Sequence, residues 1–203
     1  PLPHINIINR DYNQGRHLMT SIKALVLTAI VGACSVFAFL YSGLYPMGAD
    51  NKHFAVTYWA LETLRERSIA RAIRDIQVPS LNDPQQLLTG GQDYNAMCSG
   101  CHLQPNKINS DLSLGLYPQP PNLSLEPTKG LYGDANARAA RHFWYIKHGI
   151  KASGMPAWGL THTDERIWAM VAFIQKLPML TPEQYQILTA PEEGAADEPM
   201  AGM

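Results

Sequence analysis

Cys98-Ser99-Gly100-Cys101-His102 is the most chemically constrained stretch of this chain. Two cysteines three positions apart, with a histidine directly after the second, form the attachment signature of a c-type haem. On one helical turn the two thiols reach the two vinyl groups on one porphyrin edge, and each forms a thioether. His102, the next residue, is carried under the iron as the proximal ligand. The same Cys-x-x-Cys also fits half of a zinc site or a redox dithiol. Zinc asks for a second ligand pair at similar spacing, and the remaining cysteine, Cys34, lies in an apolar run far upstream. A thioredoxin-like dithiol asks for a βαβ setting, which the flanking sequence lacks.

The segments on either side read as helices and loops. Asp83-Pro84 is a helix start, with an aspartate N-cap and proline at the first helical position. From there a helix runs to the cysteines, with Gly90, Tyr94 and Cys98 spaced by four along one face. Gly90 allows another helix to approach, and Tyr94 packs beside it. Gly90 and Gly91 weaken the helix intrinsically, a cost that close packing explains. After His102, Pro105, Pro118, Pro120 and Pro121 break periodicity through Leu125, which reads as loop. A second helix is expected from Asp134 to Lys147, stopped by Gly149. Gly154-Met155-Pro156-Ala157-Trp158 follows. A final helix from Thr163 to Lys176 opens with Asp164 and Glu165 at its positive end. Its Ile167, Met170, Val171 and Ile174 form one stripe, with Phe173 as a further contact. Pro182 to Leu188 reads as a short cap, and residues 190–203 as a disordered acidic tail.

Upstream, Ala24 to Tyr45 carries no charge over 22 residues, enough to cross a bilayer core of about 30 Å as a helix. Tyr41 and Tyr45 sit at its far end, where aromatic residues favour the interface. Arg10, Arg16 and Lys23 precede the run and only Lys52 follows closely. The positive-inside rule therefore puts residues 1–23, a polar and irregular tail or a non-native leader, in the cytoplasm, and the rest of the chain outside. Met19 resembles a natural start. A cleaved signal peptide and a lipoprotein site at Val31-Gly32-Ala33-Cys34 compete with a retained span at 24–45. The run is long for a signal peptide, and it stays apolar after Cys34 through Leu40. Within a retained span Cys34 is a small buried helix residue.

Residues 46–80 contain an arm, helical from Asp50 to Gln77, with Phe54, Tyr58, Leu61, Leu64, Ile69, Ile73 and Ile76 at helical spacing. Arg65, Arg67, Arg71 and Arg74 load its second half. Two readings stand side by side: an arm on anionic lipid or a partner subunit, or a solvated face on a helix packed against its own domain.

Residues Pro84 to about Leu180 resemble a class I cytochrome c domain. The resemblance rests on Gly90-x3-Tyr94-x3-Cys98-x2-Cys101-His102, a proline-rich loop, Gly154-Met155-Pro156 and a C-terminal helix, in that order. Preceded by an anchor and an arm, the chain is similar to bacterial membrane-anchored monohaem cytochromes c. The resemblance implies an all-α fold in which residues 81–189 form a small helical bundle around one covalent haem c. It implies that Met155 is the distal axial ligand opposite His102, its soft thioether raising the reduction potential. It implies that the Pro121 carbonyl accepts from His102 Nδ1–H and that Leu123 packs on the haem. Gly90 and Tyr94 would cross the C-terminal helix near Phe173. Trp144, Tyr145 and Trp158 are candidates to line the pocket, and His142, His148 and His162, His148 foremost, are rivals to Met155.

The function expected is that of a non-enzymatic electron carrier, held by the bilayer on the periplasmic face of a bacterial cytoplasmic membrane. Its redox partners would be an oxidase, a dehydrogenase or a quinol–cytochrome c reductase. A fixed haem subunit of such a complex is the alternative, and a haem enzyme or gas sensor, which needs an open distal site, is a third class. A formal net charge of −1 gives no reason to expect nucleic acid.

Overall fold

The computed structural model describes residues 3–127 and 133–191, and for residues 3–15 the backbone alone. The chain divides into two units, Pro1–Gly48 and Ala49–Met203. Every regular element among the described residues is a helix.

The first unit is α1, Pro3–Tyr41. Its Arg16–Tyr41 stretch, 26 residues with a mean hydropathy of 2.3, is long and apolar enough to cross a membrane. Three hydroxyls in this stretch bond back to the helix: Thr20 Oγ1 donates to the Arg16 carbonyl at 2.8 Å, and Thr28 Oγ1 to that of Ala24 and Ser35 Oγ to that of Val31, both at 2.9 Å. Two expectations need correction. Residues 3–18 are helical rather than irregular, because nothing in them breaks a helix that the apolar run propagates. The helix also stops at Tyr41 rather than Tyr45: Ser42 Oγ turns back onto the Phe39 carbonyl at 2.7 Å, and Gly43 takes a left-handed φ of +67°. Cys34 lies on the outer surface of α1, which no other part of its unit covers.

The second unit begins with α2, Ala55–Ala72. This is shorter than the Asp50–Gln77 helix read from periodicity. Phe54 is extended (ψ 145°) and offers no side-chain cap, and Ile73 closes the helix with Ile76 in the turn beyond. Only Ile69 of α2 is buried. Helix α3, Pro84–Asp93, starts where the Asp83 side chain accepts from Gln85 N–H at 2.9 Å. A five-residue π-helical turn, Tyr94–Cys98, then leads into α4, Ser99–His102. The segment after His102 holds a short helix that periodicity missed: α5, Asp111–Gly115, made by a reciprocal cap between Ser110 and Ser113. Helices α6 (Ala135–His148), α7 (Asp164–Lys176) and α8 (Pro182–Leu188) lie where their caps put them, on Asp134, Thr163 and Thr181. Of the acidic tail, all but Ala190 and Pro191 lies outside the described residues.

The core forms where α3 crosses α7. A Cβ on Gly90 would overlap the Ala169 carbonyl and come within 2.9 Å of Met170 N, so these backbones touch directly. Tyr94 packs on Phe173 with ring centroids 5.4 Å apart, and both are fully buried. Asp93 clamps Arg166 of α7 through two bonds of 2.6 and 2.7 Å. Helix α6 closes the other side of α7, with Phe143 stacked on Trp168 at 4.1 Å. Buried Tyr94, Cys98, Phe143, Ile146, Ile167, Met170, Val171, Phe173, Ile174 and Leu177 belong to one continuous cluster.

Candidate functional site

Cys98 faces into that cluster and is buried, and Cys101 is half-exposed one turn later. Both carry free thiols. Burial, reinforced by Asp93 and Cys101, pushes the Cys98 thiol up to about 12. A redox dithiol depends on a stabilised thiolate, and this environment opposes one. A zinc site also lacks its second half: among the described residues no three His, Cys, Asp or Glu side chains cluster to hold a metal ion.

The π turn sets the phase of these groups. Ser99 N–H bonds to the Tyr94 carbonyl, an i→i+5 link that admits one more residue than an α-turn does. At the far end Leu103 has φ +67° and ψ −177°, a region almost reserved for glycine and costing about 1–3 kcal/mol for a side-chain-bearing residue. Two things hold it there. The Leu103 side chain is buried, and the Tyr94 hydroxyl donates to its carbonyl at 2.7 Å. That hydroxyl also lies 3.2 Å from the His102 carbonyl. Tyr94 therefore both packs the helix crossing and braces the turn that ends the Cys-x-x-Cys-His segment. Burial raises its phenol far above the ordinary value, with small contributions from Cys98 and Tyr185, so it remains a donor.

His102 is held from the opposite strand of loop. Its Nδ1 lies 3.0 Å from the Pro121 carbonyl, and its own carbonyl accepts from Leu123 N–H at 3.0 Å. Asn122, between them, fixes the loop: Nδ2 donates to the Lys107 carbonyl, and Oδ1 accepts from both Ser124 N–H and Ser124 Oγ. With Nδ1 committed, Nε2 is the nitrogen available to a metal. Burial lowers the His102 pKa against the opposing effect of the Pro121 bond, which favours the neutral, ligating form. Leu123 packs against the core cluster.

Met155 lies in the connection between α6 and α7 and also packs against that cluster, as do Met97 and Trp158. Its loop is pinned by three bonds: Ser153 Oγ to the Ile150 carbonyl, Met155 N–H to Ser153 Oγ, and Ile150 N–H to the Met155 carbonyl. Gly149, at φ +63°, does more than stop α6. A Cβ there would sit 2.7 Å from the Met155 carbonyl oxygen, so only glycine lets the loop fold this closely on the helix end.

The remaining candidates separate clearly. Trp158 meets the core, whereas Trp144 and Tyr145 contact each other and Trp144 also stacks near His148. His148, the foremost rival by sequence, is exposed, and His162 bonds to its neighbour Thr161 at 2.8 Å. His142 differs. Its Nδ1 is buried without a hydrogen-bond partner among the described residues. Burial, then Arg138 and His102, press its pKa down to about 4. Sequence reading also missed Asn122 and Trp168. Asx-turn chemistry at Pro-Asn-Leu could have suggested the first, but no local signal marks the second.

These residues fit a covalent c-type haem. Two cysteines outside any disulfide stand three residues apart on a helical turn, next to an imidazole whose Nδ1 is already occupied. Cys98 and Cys101 would hold the porphyrin covalently, and His102 Nε2 and Met155 Sδ would be its iron ligands, supplying a one-electron couple. Among curated proteins and among solved structures, nothing matches this chain. Residues 85–174 do match the family described as cytochrome C oxidase, cbb3-type, subunit III. The match begins in the first turn of α3 and ends in α7, the two helices whose crossing carries the site, and it identifies this part of the chain as a c-type cytochrome domain.

Proposed function

We propose that the chain is a membrane-anchored monohaem cytochrome c that passes single electrons between respiratory partners on the periplasmic side of a bacterial cytoplasmic membrane. The observation that carries this reading is the His102 Nδ1–Pro121 carbonyl pair beside two free cysteines. It fixes the imidazole tautomer and presents one nitrogen for axial ligation. A bound haem c supplies a one-electron Fe(II)/Fe(III) couple. The protein's part is to hold both axial groups rigidly, through the Asn122 loop on the His102 side and the Ser153–Ile150 loop on the Met155 side. Rigid ligands keep reorganisation small. The α1 helix would confine the domain near membrane partners and raise its effective concentration there.

The test is a ferrous and ferric spectrum of the purified full-length protein with a potentiometric titration. One haem per chain, a one-electron wave and a methionine–iron charge-transfer band that Met155→Ala removes are expected. A ferrous spectrum that shifts strongly with carbon monoxide would instead indicate an open distal position and overturn the carrier reading. The family description favours a second reading, a fixed haem subunit of a membrane oxidase. Stoichiometric recovery of oxidase subunits in mild detergent would select it.

A further inference from the structure

Helix α2 presents two chemically distinct faces. One packs on its own unit through Ile69, and Glu66 on that side bonds Arg141 of α6 at 2.9 Å and Arg65 at 3.1 Å. Glu62 lies 3.6 Å from Arg65. Both carboxylates of α2 are thus taken up by arginines. The other face carries Val56, Trp59 and Leu64, which are 69, 65 and 69 % exposed. Further along the same face come Arg67 and Arg71, with Arg74 just beyond the helix end, all exposed and without an ion pair among the described residues. Positions 56, 59, 60, 63, 64, 67 and 71 fall on one side of a 3.6-residue helix. That side is apolar and aromatic at one end and cationic at the other; Glu66, at its border seven residues beyond Trp59, is taken up by Arg65 and Arg141, and Asp75 follows Arg74 past the helix end.

We propose that this face of α2 docks on an anionic membrane surface, with Trp59, Val56 and Leu64 entering the headgroup–acyl boundary and Arg67, Arg71 and Arg74 meeting lipid phosphates. The occupant follows from two observations. Charge complementarity selects anionic groups, because Glu62 and Glu66 are taken up by Arg65 and Arg141, which leaves the exposed Arg67, Arg71 and Arg74 with Asp75 as the one nearby carboxylate of this segment outside an ion pair among the described residues. Chain connectivity supplies the surface, because α2 is the first helix after the apolar run that ends at Tyr41, with only thirteen residues between them. A tryptophan beside arginines on an exposed helical face is the composition that interfacial helices use. The proposal rests on reading α1 as a membrane anchor.

The experiment uses the full-length protein in vesicles of phosphatidylcholine alone or mixed with phosphatidylglycerol, with acyl chains brominated. The Trp59 emission is isolated by difference from Trp59→Phe. Flotation with vesicles reports the anchor, and bromine quenching of Trp59 reports the docking, so the two readings fail separately. Quenching in phosphatidylglycerol vesicles is expected, with loss of it in Arg67→Gln/Arg71→Gln/Arg74→Gln and in high salt. Flotation without quenching overturns the docking, and quenching equal in both lipids overturns its anionic character. In native membranes a photo-crosslinker replacing Leu64 should yield lipid adducts; a protein adduct would assign the face to a partner subunit instead.

Discussion

Where α3 crosses α7, backbone meets backbone at Gly90 and Ala169, two aromatic rings interlock, and nothing flexible separates the helices. Where α2 meets α6, one isoleucine is buried and the contact is carried by long charged side chains around Glu66 and Arg141. The first pairing places the cysteines and braces the His102 turn. The second attaches an arm. Close packing tolerates almost no change of volume, whereas ion pairs near the surface contribute little on average. The two interfaces should therefore fail by different amounts and with different consequences for the site.

The strongest way to break that contrast is Gly90→Val. The added carbon meets backbone that cannot yield, so a loss above about 3 kcal/mol is expected, with poor haem incorporation. Denaturant unfolding and haem content per chain measure it, and a stable, haem-loaded variant would refute the crossing. A pH titration comes next. His142 on α6 is held neutral by burial and Arg138, with its pKa near 4 in the fold against an ordinary value near 6.5. Between those values the unfolded chain binds the extra proton, so stability declines as pH falls through this window. His142→Gln should flatten that slope in denaturant midpoints taken across the range, and an unchanged slope would assign it elsewhere. Tyr94→Phe keeps the ring on Phe173 but removes the donor to the Leu103 carbonyl, which should cost about 1–2 kcal/mol. It should also broaden the axial-ligand signals in paramagnetic NMR of the oxidised domain. The smallest effect is expected at the arm: Glu66→Gln should cost about 1 kcal/mol or less and leave the haem spectrum unchanged. A shifted spectrum there would mean that α2 is mechanically coupled to the site.

What could be read from the chain was local. Asp83-Pro84, Asp134, Thr163 and Thr181 each begin a helix where the capping chemistry says they should, because an N-cap satisfies orphan amides within four residues. The Cys-x-x-Cys-His spacing is local in the same way, since its five residues span little more than one helical turn. The α2 boundaries were overextended because periodicity alone does not register the extended backbone at Phe54. Helix α5 was overlooked because five residues offer no periodicity, although Ser110 and Ser113 do form a cap. The Glu66–Arg141 pair joins residues 75 positions apart, and Trp168 finds Phe143 on another helix. Neither can be inferred from neighbours in sequence. His148 drew attention as a possible ligand because of its closeness to Met155 along the chain, yet it is exposed, while His142 carries the buried, unpartnered nitrogen.

The π turn at Tyr94–Cys98 bears on counting as well as on composition. An i→i+5 turn stores one surplus residue, and removing Asn95, Ala96 or Met97 would let the chain relax into an uninterrupted α-helix. Ser99 already bonds to the Tyr94 carbonyl across the bulge, so the helices on either side would keep their phase and both thiols and the imidazole would keep their aim. The bulge is thus a reserve of length. A single codon lost at Ala96 shortens the chain without turning the site, whereas the same loss within Ser99–His102 destroys the spacing of the motif.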